Sequence, residues 1–195
     1  MNLSGIWLYC SRALCLAVPV AFLWGILYEA RRRCRKEAFS AGHFLYSVLF
    51  AAYIAALVQI IAIRDWKDFF DLTSSATPTE VIWVPLKTTL QDLKKMGLWW
   101  ELYHMAGNMA WFVPFGFLGA VLFAGLRKWR VMPFAALGVS FLLELMQWAF
   151  QTGVSDVDDL ILNTLGACVG FLLWQLSGRI KRNIRKACGF HDKTE

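Results

Sequence analysis

Residues 138–170, GVSFLLELMQWAFQTGVSDVDDLILNTLGACVG, decide the fold. They read as an apolar helix holding a single carboxylate, a short acidic turn, and a second apolar helix that opens with Asp and Asn. The 3.6-residue period places Ser140, Glu144, Gln147 and Gln151 near one face of the first helix. In the second, Asp159, Asn163, Gly166 and Gly170 share a face in the same way. Each apolar run is long enough to cross a bilayer, so each carries a polar, small-residue stripe where lipid offers no hydrogen bond. Such stripes need partners inside a bundle.

The rest of the 195-residue chain agrees, being 58% hydrophobic and only 17% charged. Several runs approach the length of about 20 residues that crosses a hydrocarbon core about 30 Å thick. The expected fold is therefore all-α: a polytopic membrane protein with a five-helix transmembrane bundle and a short amphipathic helix in its outer loop. The spans are expected at about 6–28, 44–63, 103–126, 131–150 and 159–176. The N-terminus has no basic leader region and no small-residue cleavage site, so the first span is read as retained. This divides the chain into a first span with a basic cytosolic loop (1–43), a transmembrane domain (44–176) and a basic cytosolic tail (177–195).

Charge sets the orientation. The net charge is +6, and the basic residues cluster at helix ends, which suits topology and lipid headgroups and argues against nucleic acid. Segments 29–43, 127–130 and 177–195 hold 14 of the 20 Lys and Arg, and five spans put all three on one side. That places the N-terminus outside and the C-terminus in the cytoplasm. The 64–101 loop and the acidic turn then face outward. Within that loop, PLKTTLQDLKKM (85–96) opens with Pro, which suits a first helical turn. Leu86, Leu90, Leu93 and Met96 line one side, and Lys87, Gln91, Lys94 and Lys95 much of the rest. This fits a helix lying in the outer interface, anchored by Trp99 and Trp100; the other reading is a lid helix packed only on the protein.

Depth links the intramembrane polar residues. By helical rise, Glu144 lies about 9 Å inside the outer boundary, Asn163 about 6 Å and Asn108 about 7–8 Å. His104 sits one turn above Asn108, and Gln59 and Arg12 also fall in the outer half. Glu144, Gln147, Asp156, Asp159, Asn163, Asn108, His104 and Arg12 are thus the candidate polar pocket. Each also has a plainer reading. Asn163 and Gln59 could be interhelical glue, Arg12 could snorkel outward, and His104 could be a boundary residue. A carboxylate at that depth needs a partner, and Arg12 is the simplest, as the only Lys or Arg within a span. Asp156, Asp158 and Asp159 could cap the following helix, although one would suffice.

Pro114 is expected to kink the third span, and Gly116, Gly166 and Gly170 to let helices approach closely. Cys10, Cys15, Cys34, Cys168 and Cys188 read as apolar filler rather than disulfides or ligands. The sequence holds no Walker loop, HExxH, GxSxG or dinucleotide fingerprint. The three histidines are scattered and the acidic turn lacks the other ligands of a calcium loop, so neither a metal nor a cofactor is expected.

Four blocks, in order, resemble the VanZ-like family of small membrane proteins associated with teicoplanin resistance. Ile82-Trp-Val-Pro-Leu-Lys-Thr-Thr89 is similar to the family's NLIPF-type segment, with Trp83 and Leu86 where Leu and Phe are usual. Asn108, Phe112, Pro114 and Gly116 match its asparagine–proline–glycine helix, and Glu144 with Gln147 its acidic helix. Asp156, Asp159, Asn163, Gly166 and Gly170 match its closing helix. Many members carry an Arg shortly before the Asp pair; residues 151–155, QTGVS, have none. The resemblance implies a multi-pass protein of the bacterial cytoplasmic membrane with a role in low-level glycopeptide resistance or ordinary envelope physiology. It implies no enzymatic reaction.

Three functional readings follow. In the first, an outer-leaflet polar pocket binds, without catalysis, a membrane lipid headgroup, a lipid-linked cell-wall precursor or the acylated antibiotic. The alternative is a membrane-embedded hydrolase or transferase acting on a lipid-linked envelope substrate, with Glu144 as base and Asp156 and Asp159 holding a phosphate-binding cation. The third is a structural or assembly partner with no small-molecule site. Five spans without an internal repeat argue against a transporter built from one copy.

Overall fold

A computed structural model describes residues 3–63, 81–82, 84–150 and 155–187; the side chains of residues 3–16, 62–63, 81, 87–88, 92, 181 and 184–187 lie outside that description. Helix α1 spans Leu3–Cys34 and α2 spans Ala41–Leu57, with Ser40 as its N-cap accepting from the His43 amide. The α2 axis continues as a π-helical segment, Val58–Ile63. A two-residue strand β1 (Val81–Ile82) precedes α3 (Lys87–Met96) and α4 (Leu98–Leu122). A 3-10 turn, Ala124–Arg127, leads into α5 (Val131–Phe150). Strand β2 (Ser155–Asp156) then opens directly into α6 (Val157–Ala187).

Among the described residues four helical stretches are long and apolar enough to cross a membrane: Ala41–Ile61, Leu98–Leu122, Val131–Phe150 and Val157–Ile180. The protein is an all-α membrane protein. Three expected boundaries move. The third span starts at Leu98 rather than near 103, taking Trp99, Trp100 and a buried Glu101 into its first turn, and it ends at Leu122, where Phe123 turns extended. The last helix runs on to Ala187 through much of the expected tail, because the Lys and Arg residues there are good helix formers.

The bundle is organised on α4 and α6, which share its largest interface. Their backbones touch. A Cβ on Gly116 would sit 1.9 Å from the Ala167 carbonyl oxygen; one on Gly166 or Gly170 would sit 2.0 Å from the carbonyl oxygen of Met109 or Val113. Real Cβ atoms never come so close, so only glycine permits this seam. Around it Phe112, Phe115, Met132 and Phe171 are buried, with Phe50 of α2 against Phe115 and Phe123. Helix α5 packs on α6 and on the π-helical segment, and α2 packs on α4. Helix α1 lies on α2, where Gly25 meets Val48 and Phe44, and Tyr28 reaches across to donate a 3.0 Å hydrogen bond to the Leu122 carbonyl. Large apolar side chains such as Phe134, Leu142, Trp148 and Leu172 face outward, as a bundle solvated by lipid requires. Helix α4 continues through Pro114, and Tyr53 of α2 donates to the Trp111 carbonyl, 2.7 Å away, one turn before it.

Candidate functional site

One end of the bundle gathers most of the buried polar side chains, and its centre is the acidic turn. Strands β1 and β2 pair in parallel, Val81 opposite Ser155 and Ile82 opposite Asp156. This clips the segment ahead of α3 onto the start of α6. Asp156 is the residue before α6, and its Oδ1 accepts the Asp158 amide at 3.0 Å, an ordinary N-cap bond. Asp158 does something different. Its carboxylate accepts the Leu86 amide at 2.8 and 3.1 Å and the Thr89 hydroxyl at 2.9 Å. Leu86 stands immediately before α3 with φ of 64° and no side-chain cap of its own, so Asp158 supplies that cap from across the fold. Asp159 accepts a hydrogen bond from the Asn108 side-chain amide of α4.

Glu144 lies on α5 beside this turn and is buried. Its Oε2 receives the Asp156 amide at 3.3 Å, while its backbone carbonyl accepts the Ser155 hydroxyl at 3.1 Å. Its partner among the described residues is thus the turn itself. Deeper along the same helices, Asn163 donates to Ser140 at 2.9 Å, and Ser140 is fully buried. Gln147 is buried too, and its Oε1 has no hydrogen-bond partner among the described residues. His104 is exposed one turn before Asn108, within electrostatic reach of Asp159. Gln59 is buried in the π-helical segment that packs on α5. Arg12 falls in α1, and its suggested pairing with Glu144 lies outside the described residues, as does Arg64.

Beside the network opens an apolar cleft of about 300 Å³. Phe141, Leu145, Trp148, Val157 and Leu160 form its walls, and Glu144, Ser155 and Asp156 border it. Sequence reasoning singled out Glu144 and Asp156 but not Ser155, Trp148, Thr89 or the distinct part played by Asp158. Ser155 and Thr89 carry no signal of their own, since their partners are 11 and 69 residues away. Among the described residues no three His, Cys, Asp or Glu side chains converge as a metal site. Asp156, Asp158 and Asp159 instead engage three different protein partners.

The sequence profile of the VanZ/LLP1 family matches residues 50–178. The chain belongs to the VanZ/LLP1 family. Protein VanZ of Enterococcus faecium is 35% identical to it over 76 residues, which is 39% of this chain and 47% of that protein. The chain therefore spans about half the length of that relative. No solved structure matches. The VanZ/LLP1 region contains every residue of the polar network from Val81 to Asn163 and leaves out α1. Blocks that are scattered along the VanZ/LLP1 sequence meet in space: the β1–α3 segment, the Asn108 turn of α4, Glu144 of α5 and the start of α6 form one continuous hydrogen-bonded assembly.

Proposed function

We propose that this VanZ/LLP1 protein resides in the bacterial cytoplasmic membrane with α1 as a fifth span, the N-terminus outside and the C-terminus inside. The acidic end then faces outward, with α3 lying along the outer interface. There the cleft binds, without catalysing a reaction, the apolar part of an amphiphile: a membrane lipid, a lipid-linked cell-wall precursor or an acylated glycopeptide. The physiological outcome is low-level teicoplanin resistance or envelope homeostasis.

One observation carries this reading. An apolar cleft of about 300 Å³ borders a buried polar network built from all four family blocks. An apolar wall beside fixed polar groups suits an acyl chain joined to a polar head better than a wholly hydrophilic solute.

The test compares teicoplanin and vancomycin susceptibility of a sensitive Gram-positive host carrying empty vector, wild type, Glu144→Gln or Trp148→Ala, at matched membrane levels. Selective protection against teicoplanin that falls in both variants is the expected result. Protection unchanged in both would remove the cleft from the mechanism, and no protection by the wild type would leave only the homeostatic role, to be read from lipid and precursor profiles.

A further inference from the structure

A second cavity, of about 650 Å³, lies where the end of α1, the α1–α2 turn and the end of α4 meet. It is remote from the acidic turn: Asn108 and Leu122 are 14 residues apart along α4, about 21 Å by helical rise. Most of its lining comes from α1 and the following turn, which lie outside the VanZ/LLP1 region. It does not rest on the reading given for the acidic end.

Arg31, Arg32, Arg35 and Arg127 converge on this cavity, and Glu37 is the sole carboxylate among its lining residues. That carboxylate is already engaged by Arg32 Nε at 2.8 Å, and the buried Glu29 accepts from Arg32 Nη1 at 2.9 Å. Arg32 is thereby held between two carboxylates, and the three groups together carry one negative charge. Arg127 is fixed differently, donating to the Ala120 and Val121 carbonyls at the end of α4, each at 3.0 Å, with its guanidinium over the Trp174 ring. Those partners are neutral, so its charge remains. Arg31 and Arg35 are exposed and make no ion pair among the described residues. Arg31, Arg35 and Arg127 thus face one space with no carboxylate bonded to them, and four arginines against two glutamates leave that space a net charge of +2.

The wall changes character along α1. Trp24, Leu27 and Tyr28 line the cavity one to two turns before Arg31, on the same face by the i, i+3, i+4, i+7 rule. Leu27 and Arg31 are about 6 Å apart along the axis. Trp24 and Leu27 are exposed on the outer surface of the bundle, where a lipid chain would run. A free anion would use only the arginine end of such a stripe; a phospholipid would use both. We propose that this cavity binds an anionic phospholipid, its phosphate among Arg31, Arg35 and Arg127 and its first acyl segment against Trp24 and Leu27. Guanidinium groups suit phosphate because they offer paired donors in a plane, and basic pockets between spans at a membrane face are a recurrent form of headgroup recognition.

The experiment is native mass spectrometry of the delipidated full chain, titrated in parallel with phosphatidylglycerol, phosphatidylcholine and soluble glycerol phosphate. The wild type should prefer phosphatidylglycerol over phosphatidylcholine. Removing charge in Arg31→Gln and Arg35→Gln should weaken phosphatidylglycerol binding by about fivefold for each arginine. Gly125 lines the same cavity, and a Cβ there would meet nothing. Gly125→Phe should therefore fill the space and lower binding with every charge retained. The control Lys128→Gln/Arg130→Gln removes two exposed charges that do not line the cavity and should bind as the wild type does. Equal binding of the two phospholipids overturns the proposal, as does a preference that survives both Gly125→Phe and the Arg31/Arg35 changes. An equal loss in the control assigns the effect to general charge and also overturns it. Glycerol phosphate bound as tightly as the lipid would make this a site for a free phosphate ester instead. Monodisperse elution of each variant separates loss of the site from loss of the fold.

Discussion

At the residue scale the three aspartates of the acidic turn show why one cluster need not mean one site. Asp156 stands before α6 and caps it, while Asp158 and Asp159, about 100° apart on the helix, reach Leu86 with Thr89 and Asn108 respectively. Asp158 holds Leu86 at a positive φ that a leucine rarely adopts. Asp158→Ala should leave the Leu86 amide and Thr89 hydroxyl without an acceptor and cost about 1–3 kcal/mol. Its readout is faster proteolysis within the α3 segment, and an unchanged cleavage rate would contradict the cap. Asp159→Asn keeps an acceptor oxygen for Asn108 and removes only the charge, whereas Asp159→Leu removes both. If the hydrogen bond is what joins α4 to α6 here, membrane abundance should hold in Asp159→Asn and fall in Asp159→Leu; equal abundance of the two would assign the contact no structural weight. The sequence revealed that this turn could cap a helix. It could not reveal that one of its carboxylates caps a different helix, 72 residues away.

At the element scale the α4–α6 seam decides the bundle. Gly116, Gly166 and Gly170 were legible as positions of close helix approach. That they interlock, each against a carbonyl oxygen of the other helix, depends on which helices pair and in what register. Gly166→Leu and Gly170→Leu should abolish accumulation of folded protein, because the obstacle is backbone and cannot rotate away. Gly107→Ala and Gly138→Ala meet nothing within 4 Å and should be tolerated, gaining up to about 1 kcal/mol of helix propensity. Measured by thermal stability in detergent, equal effects at seam and control glycines would show that helix propensity rather than close approach sets the outcome. The length of α6 belongs to this scale as well: hydropathy ends the span near Ile180, while helix-forming basic residues carry the helix on to Ala187.

At the scale of the whole molecule the bundle is polar in the geometric sense, with carboxylates at one end and arginines at the other. The proposed topology, which rests on the excess of Lys and Arg in segments 29–43, 127–130 and 177–195, puts the arginine end in the cytoplasm. A fluorescent protein fused after the C-terminus should therefore glow, and a phosphatase that works only outside the cytoplasm should be active when inserted in the α3 loop. The opposite pair of results would invert the topology and place the acidic turn and its cleft inside. The same axis separates the two proposed ligands, so Arg31→Gln/Arg35→Gln should leave teicoplanin protection intact wherever the wild type provides it.

By itself the sequence determined the membrane class and, of the five spans expected, the four that are apolar helices long enough to cross a membrane among the described residues. Hydropathy and the 3.6-residue period are local properties, and a bilayer leaves a long apolar segment little choice but to satisfy its backbone as a helix. Tertiary structure alone decided the β1–β2 pairing, the partners of Asp158 and Asp159 and the cleft beside Glu144. Strands of two residues carry no periodicity to read. Every one of those contacts joins segments whose separation along the chain is closed only by packing, above all by the glycine seam that brings α4 and α6 into backbone contact.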